Sequence, residues 1–121
     1  MKKNIAIIGA GIAGLTLANF IKKYSKHEFT VYEKEESLTL DEGYGIQLAT
    51  NSIKILNQIN FEKIDNEKLF HPETLDFYDI KNEKICDLNL SKFNNNETKY
   101  TTLQRSTLIA VSYTHLRAHE T

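Results

Sequence analysis

Hydrophobic positions change their spacing along this chain, and the changes mark out its elements. Asn4-Ile5-Ala6-Ile7-Ile8 is a short β-branched run, the pattern of a strand. From Ile12 to Ile21 apolar residues recur without a charge, and Gly14 and Ala18 lie one helical turn apart. This predicts a helix with a small-residue face pressed close to a sheet. Phe29-Thr-Val-Tyr-Glu33 predicts a second strand. A polar loop follows, in which Leu38 and Leu40 are the anchoring positions, and it leads to Gly43-Tyr-Gly-Ile-Gln-Leu48. A helix comes next, with Thr50 or Asn51 as its N-cap and Ile53, Leu56 and Ile59 at helical spacing. Asn60-Phe61 breaks that helix, Glu62 to Lys68 continue it briefly, and Pro72 marks a loop. Thr74 to Ile80 and Lys84 to Asn89 alternate on either side of Lys81-Asn82-Glu83, which predicts a hairpin. After a polar loop, Tyr100 to Leu103 predict a short strand, and Arg105 opens a helix that buries Leu108 and Ile109.

This order predicts an α/β fold: a Rossmann-like βαβ start with an inserted β-hairpin. A parallel sheet needs both faces covered, and a chain of this length supplies few covering elements. The domain is therefore expected to be incomplete at its C-terminus and to fold poorly in isolation. Fifteen basic residues against sixteen acidic ones leave no excess charge to attract nucleic acid or an anionic membrane. The charge-free stretch behind Lys2-Lys3 superficially fits a signal peptide or membrane span. Its division into a β-branched run and a Gly- and Ala-studded helix argues against both. Cys86 is the single cysteine, so no internal disulfide forms, and a reducing, cytoplasmic setting is expected. Its alternation with Ile85 and Asp87 makes it a strand residue rather than a reactive thiol. His27 and His71 sit beside no carboxylate or nucleophile pattern, so no catalytic residue is assigned.

The candidate chemistry lies in Gly9-Ala10-Gly11-Ile12-Ala13-Gly14, between the first strand and the first helix. Glycines at these spacings build a turn that approaches a dinucleotide pyrophosphate. Gly9 permits the tight turn, Gly11 leaves room for phosphate, and Gly14 lets helix and strand touch. The first helical turn, Ile12 and Ala13 included, offers N–H groups without intrahelical acceptors to the anionic oxygens. Glu33 follows Gly14 by nineteen residues, where this fold sets a carboxylate against a ribose. A carboxylate there accepts ribose hydroxyls and repels a 2′-phosphate, so the adenosine half is NAD-like or FAD-like.

Composition shifts after Ala110. Up to that residue Lys outnumbers Arg thirteen to one; beyond it, residues 111–121 contain no Lys, Asn or Ile. Those eleven residues resemble the translation of a transposase-type sequencing-library adapter. The tail is read as non-native, leaving 1–110 as a partial dinucleotide-binding domain. His115 and His119, spaced i and i+4 within it, are accordingly not read as metal ligands, and no metal is expected.

Taken together, Gly9-x-Gly11-x-x-Gly14-Leu15, Glu33, Gly43-x-Gly45-Ile46 and Gln104-Arg105-x-x-Leu108 resemble the FAD-dependent aromatic hydroxylases. This is the flavoprotein monooxygenase family typified by para-hydroxybenzoate hydroxylase. The resemblance implies that Gly9, Gly11 and Gly14 approach the FAD pyrophosphate and that Glu33 takes the adenosine ribose. It places Lys34 near the adenosine, where the family usually has Arg. Gly45 and Ile46 would offer backbone to the flavin ring region, and Arg105 would lie against the cofactor from the far side. The implied activity is hydroxylation of a small, aromatic substrate with FAD, oxygen and NAD(P)H as transient reductant. Other FAD oxidoreductases (a reductase, an epoxidase or a halogenase-like relative) share this opening, and an inactive dinucleotide-binding fragment is the third reading. Two family segments, a later Asp-Gly and a Gly-Asp, do not occur before Ala110.

Overall fold

The computed structural model describes residues 1–35 and 44–117; Leu38, Leu40, Gly43 and residues 118–121 lie outside the described residues. The chain divides into two units, Met1–Gly45 with Gln104–Thr121, and Ile46–Leu103.

In the first unit, β1 (Asn4–Ile8) pairs in parallel with β2 (Glu28–Tyr32), with Ile5 opposite Phe29 and Ile7 opposite Val31. The crossover between them is α1 (Ile12–Tyr24), so a parallel pair forms because its connection is helical. Ile5, Ile7, Phe29 and Val31 point inward at strand period, against Leu15, Ala18 and Ile21 of α1. Ala18 is fully buried, as expected of the small-residue face. The alternate strand positions form an open outer face, on which Ile8 is 82% exposed.

A second helix, α3 (Arg105–Arg117), adds Ile109 and Leu116 to the same core. Leu108 and Ile109 are buried, as their spacing predicts. Asn19 Nδ2, buried in α1, donates to the Leu15 carbonyl at 2.7 Å and to the Ser112 carbonyl at 3.1 Å. Lys22 Nζ donates to the Leu116 carbonyl at 3.0 Å, a cation at the negative end of α3. These contacts advance in the same sense along both helices, so α1 and α3 run parallel. The helix continues past Ala110 with Ser112 and Leu116 buried, and the fold carries no break where the composition shifts.

In the second unit, β3 (Gly45–Leu48) pairs with β6 (Thr101–Gln104). The helix α2 spans Thr50–Leu56, but its N-cap is Ala49, with no side-chain cap bond. The reading of Thr50 or Asn51 as cap is corrected: the chain already turns helical at Thr50. A 3₁₀ turn over Asn57–Ile59 finishes it, and Asn60 ends it in the left-handed region at φ 73°. The stretch after the break is two separate 3₁₀ turns, Phe61–Lys63 and Asn66–Lys68, divided by extended Ile64. Ile53, Leu56, Ile59, Phe61, Ile64, Leu90 and Leu103 are buried.

The predicted hairpin is β4 (Thr74–Tyr78) antiparallel to β5 (Lys84–Asn89), with a bulge near Phe77/Tyr78. Asp79 makes its turn: its carboxylate accepts from the Lys81 and Glu83 N–H groups, each at 2.9 Å. Asn82 occupies the left-handed region at φ 65°, which Asn tolerates. Leu75–Leu88 and Phe77–Cys86 form one face, and Asp76–Asp87 the other. Cys86 is an exposed strand residue.

Candidate dinucleotide site at the first glycine turn

The strand-to-helix turn owes its shape to two glycines with different constraints. Gly9 has φ +103°, a conformation that L side chains rarely adopt, and its N–H donates to the Tyr32 carbonyl at 2.7 Å. A Cβ on Gly14 would collide with the Gly9 carbonyl oxygen and stand 3.3 Å from Ile7 Cγ2. Gly14 is therefore where helix and turn touch.

Gly11 is different. It is the N-cap of α1, with extended backbone and no side-chain cap bond, and its carbonyl accepts from Leu15 N–H at 3.0 Å. Among the described residues, a Cβ there would meet only the Arg105 guanidinium, 4.0 Å away. The turn is thus open above Gly11 on the side where Arg105 reaches in. By helical geometry the N–H groups of Ile12, Ala13 and Gly14 point the same way without intrahelical acceptors.

Glu33 stands just beyond β2, and its carboxylate is already engaged. Oε1 accepts from the Ala10 N–H at 3.1 Å and Oε2 from the Glu35 N–H at 3.2 Å. Those bonds, the Ala10 one foremost, hold its carboxyl below the ordinary value of 4.5. Each oxygen keeps a further lone-pair direction, so the group remains able to accept from hydroxyls. Lys34 follows, exposed.

Arg105 begins α3, where a cation faces the positive end of the helix dipole. It is tied to Tyr44 in two ways. Its N–H donates to the Tyr44 carbonyl at 3.0 Å, and its guanidinium carbon lies 5.6 Å from the Tyr44 ring centroid.

The structure thus brings together Gly9, Gly11, Ile12, Ala13, Gly14, Glu33 and Arg105 within the first unit. Gly45 opens β3, and Ile46 follows it as the first residue of the second unit. Two participants escaped sequence reasoning. Ala10 is the partner of Glu33, and Tyr44 is the partner of Arg105; both occupy positions between glycines that the motifs leave unspecified. Among the described residues, no group of His, Cys, Asp and Glu is placed to hold a metal, and no helix is long and apolar enough to cross a membrane.

A family model described as an NAD(P)-binding Rossmann-like domain matches residues 7–41. Over 84 residues the chain is 36% identical to an FAD-dependent monooxygenase, anuJ, of Penicillium roqueforti, covering 69% of this chain and 9% of that protein. It is 47% identical over 58 residues to a 3-amino-4-hydroxybenzoate 2-monooxygenase of Streptomyces platensis, covering 48% of this chain and 14% of that protein. Over these stretches the chain is similar to FAD-dependent monooxygenases. The fold agrees. A structure of 2-methyl-3-hydroxypyridine-5-carboxylic acid oxygenase superposes with TM-score 0.76 at 21% identity, over 97% of this chain and 29% of that one. Klebsiella pneumoniae HpxO, solved with FAD and uric acid, superposes with TM-score 0.69 at 22% identity, over 92% of this chain and 28% of that one. The chain therefore spans less than a third of the length of these relatives.

Proposed function

We propose that this chain is the FAD-binding N-terminal part of a cytoplasmic monooxygenase that hydroxylates a small, aromatic substrate with oxygen and NAD(P)H. The observation that carries the reading is the open turn at Gly11, with helix N–H groups behind it and the Arg105 guanidinium beside it. That donor set suits a diphosphate: partial and full positive charge, and no side chain in the way. Gly9 and Gly14 shape the turn, while Gly11, Ile12 and Ala13 approach the pyrophosphate. Glu33 accepts from the ribose hydroxyls and still braces the turn through Ala10, and Lys34 adds a cation near the adenosine. The role of Gly45 and Ile46, backbone offered to the flavin ring region, rests on their place in the Gly-spaced motif. FAD supplies the redox chemistry when bound; the residues of this chain bind and orient it.

The test uses the intact protein. Flavin absorbance after purification, with NAD(P)H-dependent oxygen uptake raised by an aromatic compound and an oxygenated product, is the expected result. A colourless protein that binds NAD alone overturns the FAD assignment. Flavin with NAD(P)H oxidation and no oxygen insertion points to the reductase-like alternative.

We also propose that residues 1–110 are a partial FAD-binding domain and that residues 111–121 are non-native. Support comes from the loss of Lys, Asn and Ile beyond Ala110 and the likeness to an adapter translation. Sequencing the source DNA onward from the codons for Tyr100 to Ala110 is the test. A reading frame that continues without adapter codons into Asp-Gly and Gly-Asp segments is expected; genomic codons for 111–121 followed by a stop overturn it.

A further inference from the structure

We infer that Tyr44 is a positioning residue for Arg105: its ring holds the guanidinium over the glycine turn, where it meets the cofactor's pyrophosphate. The inference rests on the proposed FAD reading and deepens it. Arg105 begins α3, so its charge is opposed by the helix dipole, and a long side chain there has no reason to favour one rotamer. The ring of Tyr44 removes that freedom. The Arg105 backbone N–H donates to the Tyr44 carbonyl at 3.0 Å, which sets the two residues side by side, and the guanidinium carbon stands 5.6 Å from the ring centroid. The same guanidinium reaches within 4.0 Å of the Cβ position of Gly11. The ring, the cation and the open turn therefore form one sequence of contacts, from residue 44 through 105 to 11. Among the described residues Arg105 has no carboxylate partner, so the aromatic face holds the cation without neutralising it.

Tyr44 is 56% exposed, so replacing its side chain leaves no cavity, and its carbonyl bond survives any substitution. FAD affinity of the intact protein is measured by flavin fluorescence for Tyr44→Phe, Tyr44→Leu, Arg105→Ala and the Tyr44→Leu/Arg105→Ala double variant. Tyr44→Phe keeps the aromatic face and is expected to bind as the unaltered protein does. Tyr44→Leu keeps apolar bulk without that face and is expected to weaken FAD binding roughly two- to fivefold. In the Arg105→Ala background the same change should have no further effect. Equal losses from Tyr44→Leu with and without Arg105 overturn the inference, because Tyr44 would then act independently of the guanidinium. A loss in Tyr44→Phe equal to that in Tyr44→Leu also overturns it. Gly11→Val is measured alongside. If it retains FAD, the pyrophosphate reading itself fails; if it loses FAD while residues 44 and 105 show no coupling, only the Tyr44 inference fails.

Discussion

The Glu33 carboxylate accepts a hydrogen bond from the Ala10 backbone N–H at 3.1 Å, joining the end of β2 to the glycine turn that follows β1. The residue proposed to receive a ribose is thus also part of the scaffold. The two roles are compatible because a carboxylate oxygen accepts more than one donor.

This bond gives Glu33 a pH signature. Its carboxyl is held below 4.5 in the folded chain, so its contribution to stability is complete above the ordinary carboxylate value. That contribution is lost as pH falls through the lower folded-state value. Thermal melts of the intact protein and its Glu33→Gln variant should differ at neutral pH and converge below pH 4.5. A constant difference across that range would show that the charge is not what the turn uses.

Gly11 and Gly14 should separate binding from folding. Gly14→Ala drives a methyl group into the Gly9 carbonyl oxygen and is expected to cost about 3 kcal/mol of stability. Gly11→Ala places its methyl in space that, among the described residues, only Arg105 approaches, at 4.0 Å, so the melt should change little while FAD affinity falls. Denaturant titration and flavin binding on both variants decide it; equal destabilisation would contradict the geometry.

Asn19 joins α1 to α3 through its bonds to the Leu15 and Ser112 carbonyls. Asn19→Ala should lower stability by about 1–2 kcal/mol, from the lost hydrogen bonds and the space left behind. The loss should appear in urea unfolding without a change in the FAD spectrum. An unchanged midpoint would mean that these helices are held together by apolar contact alone.

On the hairpin, Asp76 and Asp87 are directly opposed, an arrangement that repels across a strand pair. Lys84 Nζ lies 2.9 Å from Asp87 and 3.5 Å from Asp76. Its ammonium is held above 10.5 mainly by the Asp87 bond, and Asp87 is held below 3.8 by Lys84. Lys84→Ala should speed amide exchange across β4 and β5 at neutral pH, and adding Asp76→Asn should restore protection. The effect of Lys84 should fade at acid pH, as Asp87 is protonated on passing through its lowered value. Unchanged exchange in Lys84→Ala would show that the strand ladder alone fixes the pairing.

Several elements were legible in the sequence because local physics sets them. The β-branched run of β1 needs only its own side-chain spacing, and the helix behind it follows from Ile12 to Ile21. Gly9, Gly11 and Gly14 encode a turn through the absence of side chains, which no distant residue can supply. The hairpin announced itself by alternation on both sides of Lys81-Asn82-Glu83. The cap of α2 did not follow its pattern, since Thr50 and Asn51 lie inside the helix and Ala49 precedes it. Cap preference is a weak local bias that packing of Ile53 and Leu56 overrides.

The sequence by itself determined the order of elements, the glycine turn and the resemblance that both carry. Only the tertiary structure decided which distant groups meet there: Ala10 with Glu33, Tyr44 with Arg105, and Arg105 with the space over Gly11. The reason is physical. Periodicity and backbone freedom act between near neighbours, whereas Arg105 reaches Gly11 only because α3 packs parallel to α1 and sets the beginnings of both helices side by side.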